Sequence, residues 1–140
     1  MRIFYIFKIN DEIAKITKNK PENIYNSLEE IYLMDKNKTK EGKILLENIS
    51  YKFDKENINL LLKDIYRNNI NYTCYENIHT YNDFLKDEQT KIYIYNTHIK
   101  IKSNVVNPIF LNDIKNIKNL FVCDFINIDY FWLKNVLTLV

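Results

Sequence analysis

Residues 90–103 have the sequence TKIYIYNTHIKIKS, in which isoleucines alternate with tyrosines and lysines. An alternation with a period of two places every second side chain on the same face of a β-strand. The polar residues Asn96 and Thr97 separate two such runs, which is typical of a hairpin. We therefore expect one face of this hairpin to enter the core, formed by Ile92, Ile94, Ile99 and Ile101.

Two other segments have the composition of buried strands. Residues 2–9 have the sequence RIFYIFKI, and their nearly continuous apolar, β-branched and aromatic side chains favour a central strand. Residues 120–125, LFVCDF, have the same character. Three segments allow other interpretations: residues 68–77 fit a strand or an extended loop, residues 81–86 fit a helical turn, and residues 127–140 fit a turn of helix or a final strand.

Helix signals fill most of the remaining chain. Asn10 can cap a short helix with Asp11 and Glu12 in its first turn, where negative charge is favourable, and with Ile13 and Ile16 on one face. Further helices are predicted over residues 21–34, residues 39–49, a segment capped by Asp54, and residues 107–117. The second and third of these are expected to bury Ile44, Leu45, Ile58, Leu61, Leu62 and Ile65.

The order of elements is strand, helices, hairpin, helix and strand, and no stretch rich in proline, glycine or serine divides them. This order predicts an α+β fold in which helices pack on at least one face of a sheet. We expect a single domain over residues 1–140, with a mostly antiparallel sheet of four or five strands.

The composition argues against several kinds of site. The chain has one glycine, Gly42, whereas phosphate-binding loops and dinucleotide-binding folds need several. Twenty basic residues face eighteen acidic ones, and only Arg2 and Arg67 are arginines, so we do not expect direct binding of nucleic acid. No apolar run reaches the length of about 18 residues that a membrane-spanning helix needs, so we expect no membrane partner.

Residues that could bind a metal ion or act as a nucleophile are few. Cys74, His79, His98 and Cys123 form no CxxC or HxxxH pair, so we expect no metal site and no cofactor. Cys74 with His79, or Cys123 with His98, could form a nucleophile and its base only if the fold brought them together. Cys123 lies in an apolar strand, where an inert core thiol is expected. The sequence therefore predicts a protein without catalytic activity.

The aromatic content favours a binding protein. Eleven tyrosines, eight phenylalanines and one tryptophan include side chains of the kind found at interface hot spots, although many must lie in the core. The outer face of the hairpin offers an alternative function, a small module that binds RNA or single strands by stacking bases on tyrosines and neutralising phosphates with lysines. An ordinary exposed sheet face would have the same composition. The residues concerned are Lys91, Tyr93, Tyr95, Lys100 and Lys102.

The two ends of the chain resemble a known family. An aromatic strand over residues 5–9 is followed by an acidic pair, an apolar residue and an alanine, which are Asp11, Glu12, Ile13 and Ala14. Near the other end, a DF pair is followed by an aromatic residue and a tryptophan–leucine pair, which are Asp124, Phe125, Tyr130, Trp132 and Leu133. This pattern resembles that of the sporulation inhibitor of replication family, SirA.

The resemblance implies a cytoplasmic protein of endospore-forming bacteria. Such a protein would bind the N-terminal domain of the replication initiator DnaA and block initiation by covering that surface, without catalysis or a cofactor. Thr17 stands where the family pattern has an aromatic residue, and Asn135 stands near the position of its closing proline. We expect the free protein to be a monomer.

The short helix that follows Asn10 provides a place for such a contact. It is too short to be stable alone, so one side of it must pack on the sheet. Its other side would present an apolar spot with a charged rim, as small interfaces do. We expect the partner to contact Glu12, Ile13, Ile16 and Thr17. Burial of Ile13 in the core is an equal alternative.

Overall fold

The chain folds around one antiparallel sheet. A computed structural model describes the sheet and the helices that pack on it, over residues 1–34 and 36–134. The strands are β1 (Arg2–Ile9), β2 (Ser50–Tyr51), β3 (Tyr72–Tyr75), β4 (Ile78–Asp83), β5 (Glu88–Ile94), β6 (Ile99–Ser103), β7 (Leu120–Asp124) and β8 (Asp129–Trp132). The helices are α1 (Asp11–Thr17), α2 (Pro21–Tyr32), α3 (Thr39–Ile49), α4 (Lys55–Ile65) and α5 (Ile109–Ile114), with a 3₁₀ turn at Lys36–Lys38.

Strand β1 lies in the middle of the sheet, as its composition predicted. The strand order is β3-β4-β5-β6-β1-β7-β8, and β2 pairs with the end of β1 beside β6. Every pairing is antiparallel. The α+β class and the hairpin β5–β6 are therefore confirmed. Strand β1, the first in the chain, is central because β7 and β8, the last two, extend the sheet on the edge of β1 opposite β6.

The expected size of the sheet was wrong: it has eight strands over the described residues, and not four or five. The helical turn expected over residues 81–86 is also wrong, because β4 runs through Asp83. Strand β4 gave no apolar alternation because its core-facing positions are His79, Tyr81 and Asp83, of which two are polar. Strand β2 has two residues, too few for any periodic pattern.

The first of two cores lies between the sheet and the helices α4 and α5. Phe4 and Ile6 point into it from β1. The hairpin contributes the four isoleucines predicted from its alternation, Ile92, Ile94, Ile99 and Ile101, each at most 1% exposed. The helices contribute Ile58, Leu62, Phe110, Leu111 and Ile114. Burial of these side chains is the main force that holds α4 and α5 on the sheet.

The second core lies on the opposite face of the sheet. Phe7 and Ile9 point into it from β1, and Phe121 and Cys123 from β7. Helix α2 covers them with Ile24, Tyr25 and Leu28, while α1 and α3 add partly buried side chains. Aromatic rings close its outer side: Tyr25 stacks on Tyr130 with centroids 4.5 Å apart, and Tyr32 stacks on Phe125 at 4.4 Å. Helices therefore pack on both faces of the sheet.

Some helix positions differ from the predictions. Ile44, Leu45, Leu61 and Ile65 are 40–58% exposed, because each helix packs only a narrow stripe of its surface on the sheet. Helix α5 spans Ile109–Ile114 and not residues 107–117, and the carboxylate of Glu88 accepts its first N–H, from Ile109, at 3.0 Å. Within the segment 127–140, residues Asp129–Trp132 form the final strand β8, and residues 135–140, with Asn135, lie outside the described residues.

No helix within residues 1–34 and 36–134 has both the length and the apolar character needed to cross a bilayer.

The turn between β7 and β8 depends on Asp124. This carboxylate is 1% exposed and accepts hydrogen bonds from Arg2 Nε at 3.0 Å and from the backbone and side-chain nitrogens of Asn127 at 3.1 and 2.7 Å. Burial alone would raise the pKa of Asp124, but these bonds hold it below its ordinary value. The turn also places Ile128 at a φ of 54°, a region that branched side chains disfavour, so Asp124 offsets a local strain.

We predict that Asp124→Ala lowers the free energy of unfolding by about 2–4 kcal/mol, because it leaves Nε of the partly buried Arg2 and the two Asn127 nitrogens without their acceptor. Asp129→Ala is the matched control, since Asp129 bonds the same guanidinium at 3.0 Å but is half exposed, and it should cost less than about 1 kcal/mol. Urea unfolding at neutral pH measures both. Equal losses in the two variants would contradict this account.

Candidate protein-binding site

Helix α1 is fixed to the rest of the protein at its start. The side chain of Asn10 accepts the N–H of Ile13 at 2.9 Å, as the predicted N-cap, and its amide donates to the carbonyl of Asn48 at 2.8 Å. The backbone N–H of Asn10 also donates to the carbonyl of Ile49 at 2.9 Å. A helix of seven residues is not stable alone, so these bonds to the end of α3 define its position.

The four residues expected to contact a partner divide between two environments. Ile13 is half-buried and packs on the second core, whereas Ile16 is 78% exposed, so the two isoleucines do not share a face as expected. Glu12 is exposed. Thr17 is half-buried, and its hydroxyl donates to the carbonyl of Ile13 at 2.5 Å. Glu12 and Ile16 are therefore the members of the set that a partner can reach directly.

A cleft of about 690 Å³ lies beside α1, between this helix, residues 116–120 and the end of β8. We call it the α1 cleft. Its walls include four lysines, Lys15, Lys18, Lys118 and Lys134. Asp11 also lines it, and its carboxylate is paired with Lys118 at 3.1 Å and accepts the Asn119 amide at 2.8 Å. The hydrogen bond from Lys118 is the main cause of the lowered pKa of Asp11. The cleft therefore has a basic rim.

The floor of the α1 cleft includes Trp132, the single tryptophan of the chain. Its ring packs edge-on against Phe121 with centroids 5.0 Å apart. Its indole nitrogen is buried and, within the part of the chain that the structure describes, has no hydrogen-bond acceptor.

Sequence reasoning did not find the α1 cleft. Lys118 and Lys134 lie more than a hundred residues from Asp11 in the chain, and no local pattern links them. The one available signal was the C-terminal motif, because Trp132 belongs to it. The pairing of β1 with β7 and of β7 with β8 brings that motif beside α1.

Cys74 and His79 are cross-strand neighbours on β3 and β4, with Sγ and Nε2 4.0 Å apart. His79 is fully buried, its Nδ1 lies 2.6 Å from the Tyr72 hydroxyl, and its Nε2 lies 2.7 Å from Oδ1 of Asn59. Because an amide oxygen only accepts, Nε2–H donates to Asn59, and the lone pair on Nδ1 accepts the Tyr72 hydroxyl. The ring therefore has no free lone pair with which to take the thiol proton.

The other candidate groups for chemistry are Cys123 and His98, which lie far from Cys74 and His79 in the chain. Cys123 is fully buried, as expected for a core thiol, and burial raises its pKa. The Thr97 hydroxyl lies 2.9 Å from Nδ1 of His98, and burial lowers the pKa of this histidine to about 4. Across residues 1–34 and 36–134, no group of three histidine, cysteine or acidic side chains is arranged to hold a metal ion.

The buried state of His79 predicts a dependence of stability on pH. Burial, with a smaller contribution from Lys63, lowers its pKa from 6.5 to about 4. Between these two pKa values the histidine is protonated in the unfolded chain but neutral in the folded protein. The free energy of unfolding therefore falls as the pH drops through this window. His98 adds a change of the same sign.

We predict that the difference in unfolding free energy between the wild type and His79→Gln shrinks by about 2–3 kcal/mol from pH 7 to pH 4, because the variant lacks this titration. Urea unfolding of both proteins across this range measures the difference. Glutamine is chosen because its side-chain amide has a donor for Asn59 and an acceptor for Tyr72. A difference that is independent of pH would contradict the prediction.

Comparison with known proteins agrees with the motifs at the two ends. No individually curated protein matches the sequence. The model of the family described as sporulation inhibitor of replication protein SirA matches residues 2–137. The match includes every element from β1 to β8, and therefore both walls of the α1 cleft. The chain thus belongs to the SirA family of sporulation inhibitors of replication.

Proposed function

We propose that this protein inhibits the initiation of DNA replication by binding the N-terminal domain of the initiator DnaA, and that α1 with the α1 cleft forms the contact surface. The family description supports inhibition of replication linked to sporulation, and inhibition of this kind calls for a protein partner. The observation that carries the choice of surface is the exposure of Ile16, 78%, on a helix that is otherwise fixed.

The neighbourhood of Ile16 has the anatomy of a small interface. A single apolar side chain projects from α1, and exposed charged residues surround it, among them Glu12 and Lys15. Energetic hot spots are apolar or aromatic anchors inside a polar rim that excludes water. Thr17, where the family pattern has an aromatic residue, lies half-buried and bonded to its own helix, so in this chain Ile16 is the anchor of α1.

The surface is also preorganised, which lowers the entropic cost of binding. The N-cap Asn10 ties α1 to α3, Asp11 ties it to Lys118 and Asn119, and Ile13 ties it to the second core. A partner that binds Ile16 therefore contacts a helix that three sets of interactions already hold in position. Ile13 contributes to binding indirectly, by holding the helix on the core.

The charge of the α1 cleft indicates what kind of surface the partner presents. Lys15, Lys18, Lys118 and Lys134 line the cleft, and among its described lining residues the one carboxylate, that of Asp11, is already paired with Lys118. A partner surface with carboxylates around an apolar pocket for Ile16 would be complementary. Inhibition would follow from occupancy, because a covered surface cannot make its other contacts. We propose that the protein acts in this way in the cytoplasm, as a monomer when free, and without catalysis or a cofactor.

We predict that Ile16→Glu weakens binding to the N-terminal domain of DnaA at least 30-fold, about 2 kcal/mol, because a charge replaces the apolar anchor. The far-ultraviolet circular dichroism and the unfolding temperature should not change, since Ile16 makes no core contact. Isothermal titration calorimetry measures the affinity. Ile13→Glu is unsuitable for this test, because it would disturb the second core.

Leu85→Glu is the matched control, because Leu85 is fully exposed at the β4–β5 turn and the charge introduced is the same. It should bind like the wild type. Loss of affinity in both variants, or in neither, would refute the assignment of the surface. Failure of the wild-type protein to bind this domain would refute the proposed partner.

A further inference from the structure

We propose that the part of the sheet not covered by α1–α3 binds single-stranded nucleic acid, stacking bases on tyrosines and holding phosphates with lysines. This surface, the tyrosine–lysine face, consists of Tyr75, Lys91, Tyr93, Tyr95, Lys100 and Lys102. It lies on strands β3, β5 and β6 and on the residue that follows β5, so it is separate from α1 and independent of the proposed function.

The strand register places these side chains on one face. Tyr93 stands opposite Lys100 on β6, and Lys91 stands opposite Lys102. Lys100 in turn stands opposite Tyr5, on the face of β1 that belongs to the second core. The surface therefore continues the face of the sheet that bears the second core, on strands that helices α1–α3 do not cover.

The face is open to solvent. Tyr75 is 73% exposed and Tyr95 43% exposed, Lys91 is exposed, and the other three side chains are partly exposed. The buried residues of the second core come from β1, β7, α2 and the residue after β7, and not from β3–β6. A depression of about 470 Å³ lies beside Lys91, Tyr93 and Lys102.

The charge of this face is segregated although the chain as a whole is nearly neutral. The positions of β4 that share the face are Ile78, Thr80 and Asn82, which carry no charge. The carboxylates of β4 and β5 belong to Asp83 and Glu88. These two residues stand opposite each other in the strand register, and their side chains are buried on the other face of the sheet. The ion pairs that the structure shows among its described residues involve Arg2, Arg67 and Lys118. The three lysines of the face therefore have no carboxylate partner among those pairs.

The positions of Lys91 and Lys102 indicate that the ligand of this face is an anion. They are directly opposite each other on adjacent antiparallel strands, an arrangement of like charges that destabilises a sheet. None of the ion pairs among the described residues offsets this repulsion. A phosphate between the two ammonium groups would convert it into an attraction.

The tyrosines provide the second half of the recognition. The rings of Tyr93 and Tyr95 are parallel within 4°, with centroids 6.5 Å apart. The two parallel rings offer flat apolar surfaces of the kind on which bases of a single strand stack. Lys100 Nζ lies 5.7 Å from the Tyr93 ring and 5.9 Å from the Tyr5 ring, so a positive charge stands beside the proposed stacking surface.

These features select a single strand over a duplex. Stacking needs bases that are free of their pairs, and the face has no arginine to form bidentate contacts with base edges. Three lysines give a weak, sequence-tolerant site, with a slope of log affinity against log salt of about −2. The near-neutral composition led us to expect no nucleic-acid binding, but a total charge averages over faces and hides this segregation.

Fluorescence anisotropy with a labelled 12-nucleotide single strand of mixed sequence, as DNA and as RNA, tests the proposal with the full-length protein. At 25 mM salt the wild type should bind with micromolar affinity and show the slope of about −2. Lys91→Gln with Lys102→Gln should weaken binding at least tenfold and reduce the slope to about −0.7. Tyr93→Leu should weaken it severalfold without changing the slope. Lys40→Gln with Lys43→Gln, on exposed positions of α3, is the control of equal charge and should bind like the wild type.

Three results would overturn the proposal: no binding by the wild type at low salt, equal losses in the two double variants, or a preference for duplex of the same sequence. Binding of the N-terminal domain of DnaA is measured in parallel. If the Lys91 and Lys102 variant loses that protein and keeps the oligonucleotide, the face is a protein interface and the proposal is wrong. Retention of both ligands by Ile16→Glu would instead contradict the proposed function alone.

Discussion

Strand β1 has large apolar side chains on both of its faces, and no single layer of helices can bury both. Phe4 and Ile6 require the cover of α4 and α5, whereas Phe7 and Ile9 require that of α2 and its neighbours. The sheet therefore becomes the middle layer of three, with β1 at its centre. Helix α1 follows β1 after one residue, so the same requirement fixes its position over the second core and turns Ile16 outward.

The two faces of the sheet differ in how completely they are covered, and both surfaces that we assign to partners arise from this difference. Helices α1–α3 bury the aromatic cluster over β1, β7 and β8, and the α1 cleft is the boundary where this layer meets residues 116–120. Over β3–β6 the layer ends, and tyrosines and lysines take the place of core residues. A small chain that buries a central strand on both sides thus keeps two distinct surfaces for binding.

Elements whose signals are local could be predicted from the sequence: β1, the hairpin, the caps Asn10 and Asp54, and α3. Strand β4 was missed because His79 and Asp83 occupy core positions, where their hydrogen bonds, invisible in the sequence, satisfy them. The α1 cleft and the opposed lysines were missed for a different reason. They depend on strand register, which brings together residues that lie far apart in the chain.

The most direct test of the account is nuclear magnetic resonance of the ¹⁵N-labelled protein titrated with the unlabelled N-terminal domain of DnaA. The account requires that amide signals of α1, of residues 116–120 and of the end of β8 shift together with one affinity, while those of β3–β5 remain in place. Shifts confined to the tyrosine–lysine face would contradict it, as would a spectrum that does not change at any concentration of the domain.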